Sequence, residues 1–353
     1  MKLTTKKRMA IFCFFSILII AIILLATGGP KTWLALQELQ GTYLLLALGI
    51  FAAMTFFDIM RLQVLTGALG THLPFLYGLK TILAYYFLSA ITPAVTGGEP
   101  LMVYMLKKKG VGVGKGTCIV VIRGLLLISF IAIGGPIIIY SHSELLHNTS
   151  LQIMFGGIAL LLAALIIFLA YTLYKPEKGE RLIEKILHLL ERFSCLRKHI
   201  PHLIERIDGW IDELSFSLKF FIRERKLRLF VATLWTIMFM ICNYSLAYVL
   251  LKGLNFDISI WTVFMIQIVL YFFLYFSPTP GGSGVAEGGF YLLFAPLVPH
   301  HLLGLLIILW RFFTVYLGVF MGAFVIMKTL GIDRMETFAE DQIHPVFELE
   351  KGG

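Results

Sequence analysis

The sequence predicts an all-α polytopic membrane protein: six full transmembrane helices and two re-entrant, broken-helix hairpins arranged as an inverted-topology repeat. Three observations carry this. Of 353 residues, 58% are apolar or aromatic and only 14% are charged, with mean hydropathy +0.86; ordinary soluble domains carry about 25% charged residues. Runs such as 9–27 and 151–174 are long enough, at about 1.5 Å rise per residue, to cross a hydrocarbon layer roughly 30 Å thick. Two further apolar stretches are broken midway by proline and glycine in matching patterns. The composition argues against a soluble enzyme, a nucleic-acid-binding domain and a secreted disulfide scaffold.

The first span is expected at 9–27, followed by an external loop to residue 41. It starts like a signal peptide, but its apolar stretch exceeds a typical h-region and Gly28-Gly29-Pro30 is a poor cleavage site, so it reads as retained. The first repeat covers 42–140: a span near 42–63, a broken region over 75–106 and a span near 116–140. A connecting span at 151–174 lies within 141–174. Residues 175–227 are the one sizeable polar insertion. There Leu182, Ile186, Leu189 and Phe193 fall at helical spacing, as do Leu203, Ile207, Trp210 and Leu214. This reads as amphipathic helices lying on the cytoplasmic leaflet, with a regulatory or partner-binding role as the alternative. The second repeat covers 228–328, with spans at 228–252 and 301–328 around a broken region over 260–298. Residues 329–353 form a polar, acidic tail.

Charge sets the orientation. Lys2, Lys6, Lys7 and Arg8 precede the first span, Lys107, Lys108, Lys109 and Lys115 follow the first break, and thirteen basic residues lie between Lys175 and Arg228. With Arg61, Lys80, Lys328, Arg334 and Lys351 these sit on one side; only Lys31 and Lys252 sit on the other. Such asymmetry is the positive-inside signal. It predicts a multi-pass protein of the bacterial cytoplasmic membrane with both termini cytoplasmic, and it explains the net charge of +9 without nucleic acid. Cys13, Cys118, Cys195 and Cys242 form no CxxC and none falls in an external loop, so neither a disulfide framework nor a metal site is indicated.

The broken regions are Thr92-Pro93-Ala94-Val95-Thr96-Gly97-Gly98-Glu99-Pro100 and Pro278-Thr279-Pro280-Gly281-Gly282-Ser283-Gly284-Val285-Ala286-Glu287. Proline removes a backbone donor and clashes with the preceding turn, while glycine admits conformations a helix does not use. Each region therefore reads as two short helices joined by irregular backbone, tolerated at membrane depth where protein or a water-filled cavity covers it. The first hairpin is expected to enter from the cytoplasm and the second from outside. Both carry Thr or Ser three residues after the proline (Thr96, Ser283), glycine four after (Gly97, Gly284), and an aromatic pair eight and seven before (Tyr85-Tyr86, Phe272-Phe273). Glutamate follows at six (Glu99) or seven (Glu287), and an arginine lies 24 residues beyond each, Arg123 and Arg311, both away from the ends of full spans. Shared spacing with opposite orientation is the mark of an inverted repeat, an architecture of many secondary transporters.

A carboxylate near the bilayer centre costs about 2.5 kcal/mol or more and so calls for a partner or a task. One reading makes Glu99 and Glu287 structural, paired with Arg123 and Arg311 or capping exposed amides at a helix start. The other places all four around a polar cavity between the hairpins, where half-helix N-termini and arginines offer a site for an anionic group such as phosphate. In that reading Thr92, Pro93, Gly97, Thr279, Pro280, Gly281, Gly282, Ser283 and Gly284 complete the substrate-binding set by supplying backbone groups. Gly281-Gly282-Ser283-Gly284 lacks a Walker ending and follows no strand, so a nucleotide site is not expected. Asp58 and Arg61 read as a local ion pair, Lys80 as a snorkelling lysine, and Asn243 and Gln267 as helix–helix hydrogen-bonding residues. His300 and His301 lack metal-ligand spacing. No Ser-His-Asp set, HExxH or cofactor motif occurs, so neither catalysis nor a cofactor is expected.

The segment Pro280 to Glu287 resembles the Pro-Gly-Gly-x-Gly-x-x-Glu signature of the lysylphosphatidylglycerol synthase transmembrane, or flippase-like, family. Pro93 to Glu99 is similar to that family's Pro-x-x-x-Gly-x-Glu motif, departing from it in the second glycine before Glu99 and in Pro100 after it. The resemblance covers about residues 10–328. It implies a membrane part that moves a phospholipid headgroup between leaflets, beside a separate aminoacyltransferase domain for which residues 329–353 leave no room; no enzymatic activity is expected of this chain. Membrane phospholipids are the expected partners. A transporter of a small soluble anion, a noncatalytic subunit of a lipid- or glycolipid-synthesising enzyme partner, and a homo-oligomer all stay open.

Overall fold

The structure, a computed structural model, describes residues 29–92, 97–141, 220–221, 224–275, 277 and 279–329. The spans expected at 9–27 and 151–174, nearly all of the insertion, the tail beyond 329, and Pro93 lie outside the described residues. Among the described residues every regular element is helical. In chain order these are α1 (Pro30–Gln37), α2 (Gly41–Ala68), α3 (Phe75–Ile91), α4 (Gly98–Lys107), α5 (Val113–Ser141), α6 (Lys226–Gly253), α7 (Ile260–Tyr275), a 3₁₀ turn (Pro280–Gly282), α8 (Val285–Phe294), α9 (His300–Arg311), a π-helical turn (Phe312–Tyr316) and α10 (Leu317–Thr329). Four helical stretches are long and apolar enough to cross a membrane: Gly41–Ala68, Val113–Ile131, Lys226–Gly253 and His300–Lys328. The protein is a multi-pass membrane protein.

The two halves repeat the same order of elements. A 28-residue helix (α2, α6) precedes a short apolar helix of 17 or 16 residues (α3, α7), a break, and a ten-residue helix (α4, α8). A long helix closes each half. The breaks fall at the two proline motifs for a local reason. A residue before proline is pushed out of the helical region; accordingly Thr92 ends α3 at φ −111°, ψ 143°, and Thr279 is extended at φ −83°, ψ 149°. Pro280, its φ preset for a turn start, then opens the 3₁₀ turn.

The chain divides into two compact units. Among the described residues, one comprises those up to Ile59 with Pro74–Met105 and those from Ile237 onward; the other comprises Met60–Leu73 and those between Leu106 and Thr236. The first unit holds both broken hairpins and two apolar clusters. One cluster joins Leu246 and Leu250 of α6, Val263 and Leu270 of α7, Phe290 of α8 and Leu303 and Trp310 of α9. The other joins Ala84, Phe87 and Ala90 of α3, Leu101 and Met105 of α4, and Ile326 of α10. Lipid tails are as apolar as the side chains they meet, so association between helices leans on close packing. Helix α10 achieves it with glycine: a Cβ on Gly322 would lie 2.1 Å from the Leu83 carbonyl oxygen, and one on Gly318 would lie 3.1 Å from the Tyr86 ring. In the second unit, buried Arg61 donates from Nη1 to Thr236 Oγ1 at 3.5 Å, and Gln63 donates to the Leu73 carbonyl at 2.7 Å.

Candidate functional site

The second hairpin's break is held by charge. Its backbone reverses through three glycines in the left-handed region, Gly281 (φ 58°), Gly282 (φ 68°) and Gly284 (φ 86°), where a side chain would be strained. This brings Glu287, in the first turn of α8, back over the break. One carboxylate oxygen accepts the Gly284 N–H at 2.7 Å, satisfying an amide that the helix start leaves open. The other accepts from Arg311 Nε at 2.6 Å, and Arg311 Nη2 donates to the Gly281 carbonyl at 3.1 Å. Both side chains are nearly sealed, Glu287 at 3% exposure and Arg311 at 4%. The 24-residue spacing thus corresponds to a direct contact: α9 returns alongside α8 and delivers Arg311 to the break. Stacking seats it, with Phe290 4.2 Å from Phe294 and 4.7 Å from Trp310, centroid to centroid.

Helix α7 walls this site. Tyr271 lies within electrostatic reach of Arg311 and donates to Asn243 Oδ1 at 2.9 Å, which is the helix–helix bond expected of Asn243. Gln267, one turn earlier, departs from the same expectation. It is fully buried, and neither amide atom finds a hydrogen-bond partner among the described residues. Its neighbours at i−3 and i+4, Phe264 and Tyr271, instead pack on the Tyr244 ring at 5.9 Å edge-on and 5.4 Å tilted, so aromatic packing occupies that helix face. Ser283 Oγ and Trp310 Nε1 are likewise buried without partners among the described residues. Thr279 shares a 2.8 Å hydrogen bond with Ser277.

The first hairpin's break is held by close packing. Thr92 Oγ1 donates to the Leu88 carbonyl at 2.7 Å and accepts the Gly97 N–H at 2.9 Å, bridging the gap with one hydroxyl. A Cβ on Gly97 would lie 2.5 Å from Thr92 Cγ2, and one on Gly98 would lie 1.8 Å from Ser89 Oγ and 2.7 Å from the Tyr85 ring. Glycine is therefore required at the start of α4 for space. Glu99 is exposed, within electrostatic reach of Tyr275 at the end of α7. Helix α3 packs against the Pro280–Gly282 turn, so the two hairpins meet. Arg123 is buried in α5 and belongs to the second unit.

Two contacts beside the site are not announced by the sequence. Asp58, buried in α2, accepts from the Tyr86 hydroxyl at 3.2 Å, tying α2 to the first hairpin. Tyr275 stands at the hairpin junction, where an aromatic residue in an apolar run reads as ordinary core or lipid contact. His300 Nδ1 pairs with the Tyr291 hydroxyl at 3.1 Å.

Among curated proteins the chain is similar to a UPF0104 membrane protein of Archaeoglobus fulgidus, 27% identical over 324 residues that cover 89% of this chain and 95% of the relative. A family model described as the lysylphosphatidylglycerol synthase TM region matches residues 11–322, a range that contains both breaks, Glu287 and Arg311. With the match running through every described helix but the C-terminal end of the last, this chain belongs to the lysylphosphatidylglycerol synthase transmembrane-region family.

Proposed function

We propose that the protein is a lipid translocase that carries a phospholipid or related headgroup between leaflets along a polar path at the meeting of its two hairpins, while the acyl chains stay in lipid. The observation that carries this reading is the Glu287–Arg311 pair, sealed against a broken helix where the first hairpin packs. An arginine held by a carboxylate can exchange that partner for a phosphate at modest cost, since both are oxyanions matched to its fork. Arg311 receives the headgroup phosphate, Glu287 is released to balance or relay charge, and the glycine-rich turn supplies backbone groups. In the first half Glu99 balances or relays charge, with Thr92, Pro93 and Gly97 shaping its break, and Arg123 offers a further positive charge for the headgroup. The hairpins re-enter from opposite faces of the bacterial cytoplasmic membrane, with both termini cytoplasmic; the basic residues on one side support that orientation.

Headgroup flip of fluorescent phospholipids in proteoliposomes tests the assignment. Glu287→Gln and Arg311→Lys keep side-chain volume but weaken the pair, and each is expected to slow flip about tenfold or more, equivalent to at least about 1.4 kcal/mol. Folded variants that flip lipid at the unmodified rate would sink the site.

A further inference from the structure

The C-terminal apolar stretch His300–Lys328 is long enough to cross a membrane in one piece, yet its two ends belong to different assemblies. Helix α9 is fastened to the second hairpin: Arg311 holds Glu287 and the Gly281 carbonyl, and Trp310 packs at a tilt on Phe290. Helix α10 is fastened to the first hairpin through Gly318 against Tyr86, Gly322 against Leu83 and Phe87, and Ile326 in the cluster of Ala84, Phe87 and Leu101. The change of partner begins within Phe312–Tyr316 and is complete after Leu317: Phe313 is buried in the α9 cluster and Leu317 packs on it, whereas Val315, Tyr316 and Val319 pack on the α10 cluster. Phe312–Tyr316 is π-helical, starting one residue after Arg311. A π turn carries an extra residue, interrupts the i→i−4 ladder, and is a recognised site of sharp helix bending. Within it Thr314 donates its hydroxyl to the Trp310 carbonyl at 2.7 Å, so a side chain rather than the ladder alone steadies the turn.

We infer that residues 312–316 are a hinge joining two rigid blocks, α3–α4–α10 and α7–α8–α9, whose relative motion opens and closes the junction between the hairpins. The use of this motion rests on the transport reading; the motion itself does not. Closing brings Arg311 onto Gly281 and Glu287; opening tilts the first hairpin away while each hairpin keeps its own half of the split helix. Glycine at 318 and 322 serves the hinge by letting α10 move with α3 as one piece.

Spin-label distances test this in the full chain, with Cys13, Cys118, Cys195 and Cys242 replaced by alanine, in nanodiscs of phosphatidylethanolamine and phosphatidylglycerol. Leu76, Leu292 and Phe324 are exposed and outside the proposed path, so they accept labels. The pair Leu76→Cys and Phe324→Cys lies within one block and is expected to give one narrow distance. The pair Leu292→Cys and Phe324→Cys spans the hinge and is expected to give two. Position 324 lies eight residues, about 12 Å, beyond Tyr316, so a bend of about 20° displaces it by about 4 Å. One narrow distance for the spanning pair, or equal spreading of both pairs, overturns the hinge. Two distances in a protein that does not flip lipid leave the hinge standing and overturn the transport reading instead.

Discussion

The two hairpins share helix lengths, a Thr-Pro break and a glutamate at the start of the second helix, yet they hold their breaks by different means. The first uses space: Gly97 and Gly98 let α4 begin against Thr92, Ser89 and Tyr85, with one threonine hydroxyl bridging the gap. The second uses charge and backbone conformation: three left-handed glycines, and a glutamate–arginine pair closed over them. One residue of register separates the glutamates, six against seven positions beyond the proline. On a helix that is about 100° of rotation. It accompanies the difference between an exposed Glu99 and a sealed Glu287. The two halves therefore keep the break while differing in where its glutamate sits, sealed at Glu287 and exposed at Glu99.

The largest effect that would sharpen this contrast is loss of the buried pair. Arg311→Ala strands the Glu287 carboxylate in a sealed site, and removing one partner of a buried ion pair costs about 3–5 kcal/mol. Thermal unfolding in detergent should show that loss, while Glu99→Gln, at an exposed position, should stay within about 0.5 kcal/mol of the parent. Equal losses at both positions would mean that charge locks the first break as well.

The next largest effect separates space from backbone conformation. Gly98→Ala puts a methyl group into the position held by Ser89 Oγ, an overpacking expected to cost about 1–3 kcal/mol. Gly281→Ala meets the other limit, a left-handed φ of 58°, expected to cost about 1–2 kcal/mol. Asparagine distinguishes them, because its side chain tolerates the left-handed region but is larger than alanine. Gly281→Asn should recover part of the alanine loss, whereas Gly98→Asn should unfold at a lower temperature than Gly98→Ala.

Much of this architecture is legible in the residues. Thr-Pro followed by glycine marks a helix break through backbone sterics alone, so both breaks fall where read, and the 24-residue spacing leads directly to the Glu287–Arg311 contact. What is not legible depends on which faces meet. Gly318 and Gly322 look like two of many small residues in an apolar run until α3 is placed against them. The π-helical turn has no proline or glycine to announce it, because it arises from two halves of one helix obeying two neighbours. Gln267 reads as a hydrogen-bonding residue by type, but its packing is set by Phe264 and Tyr271 on either side.

The smallest effect tests whether the two threonines that open the breaks do equal work. Thr92 is buried and its hydroxyl serves both the Leu88 carbonyl and the Gly97 N–H, so Thr92→Val leaves an amide without its acceptor at nearly unchanged volume. Losing such a bond while stranding a partly buried donor is expected to cost about 1.5 kcal/mol. Among the described residues the Thr279 hydroxyl bonds the neighbouring Ser277 hydroxyl, which can turn to another acceptor, so Thr279→Val should cost about 0.5 kcal/mol. Midpoints of denaturant unfolding for the two variants, measured side by side in the same detergent, resolve a difference of that size. A larger loss at Thr279 would show that hydroxyl bridging holds the second break too, and that its ion pair is not what keeps it closed.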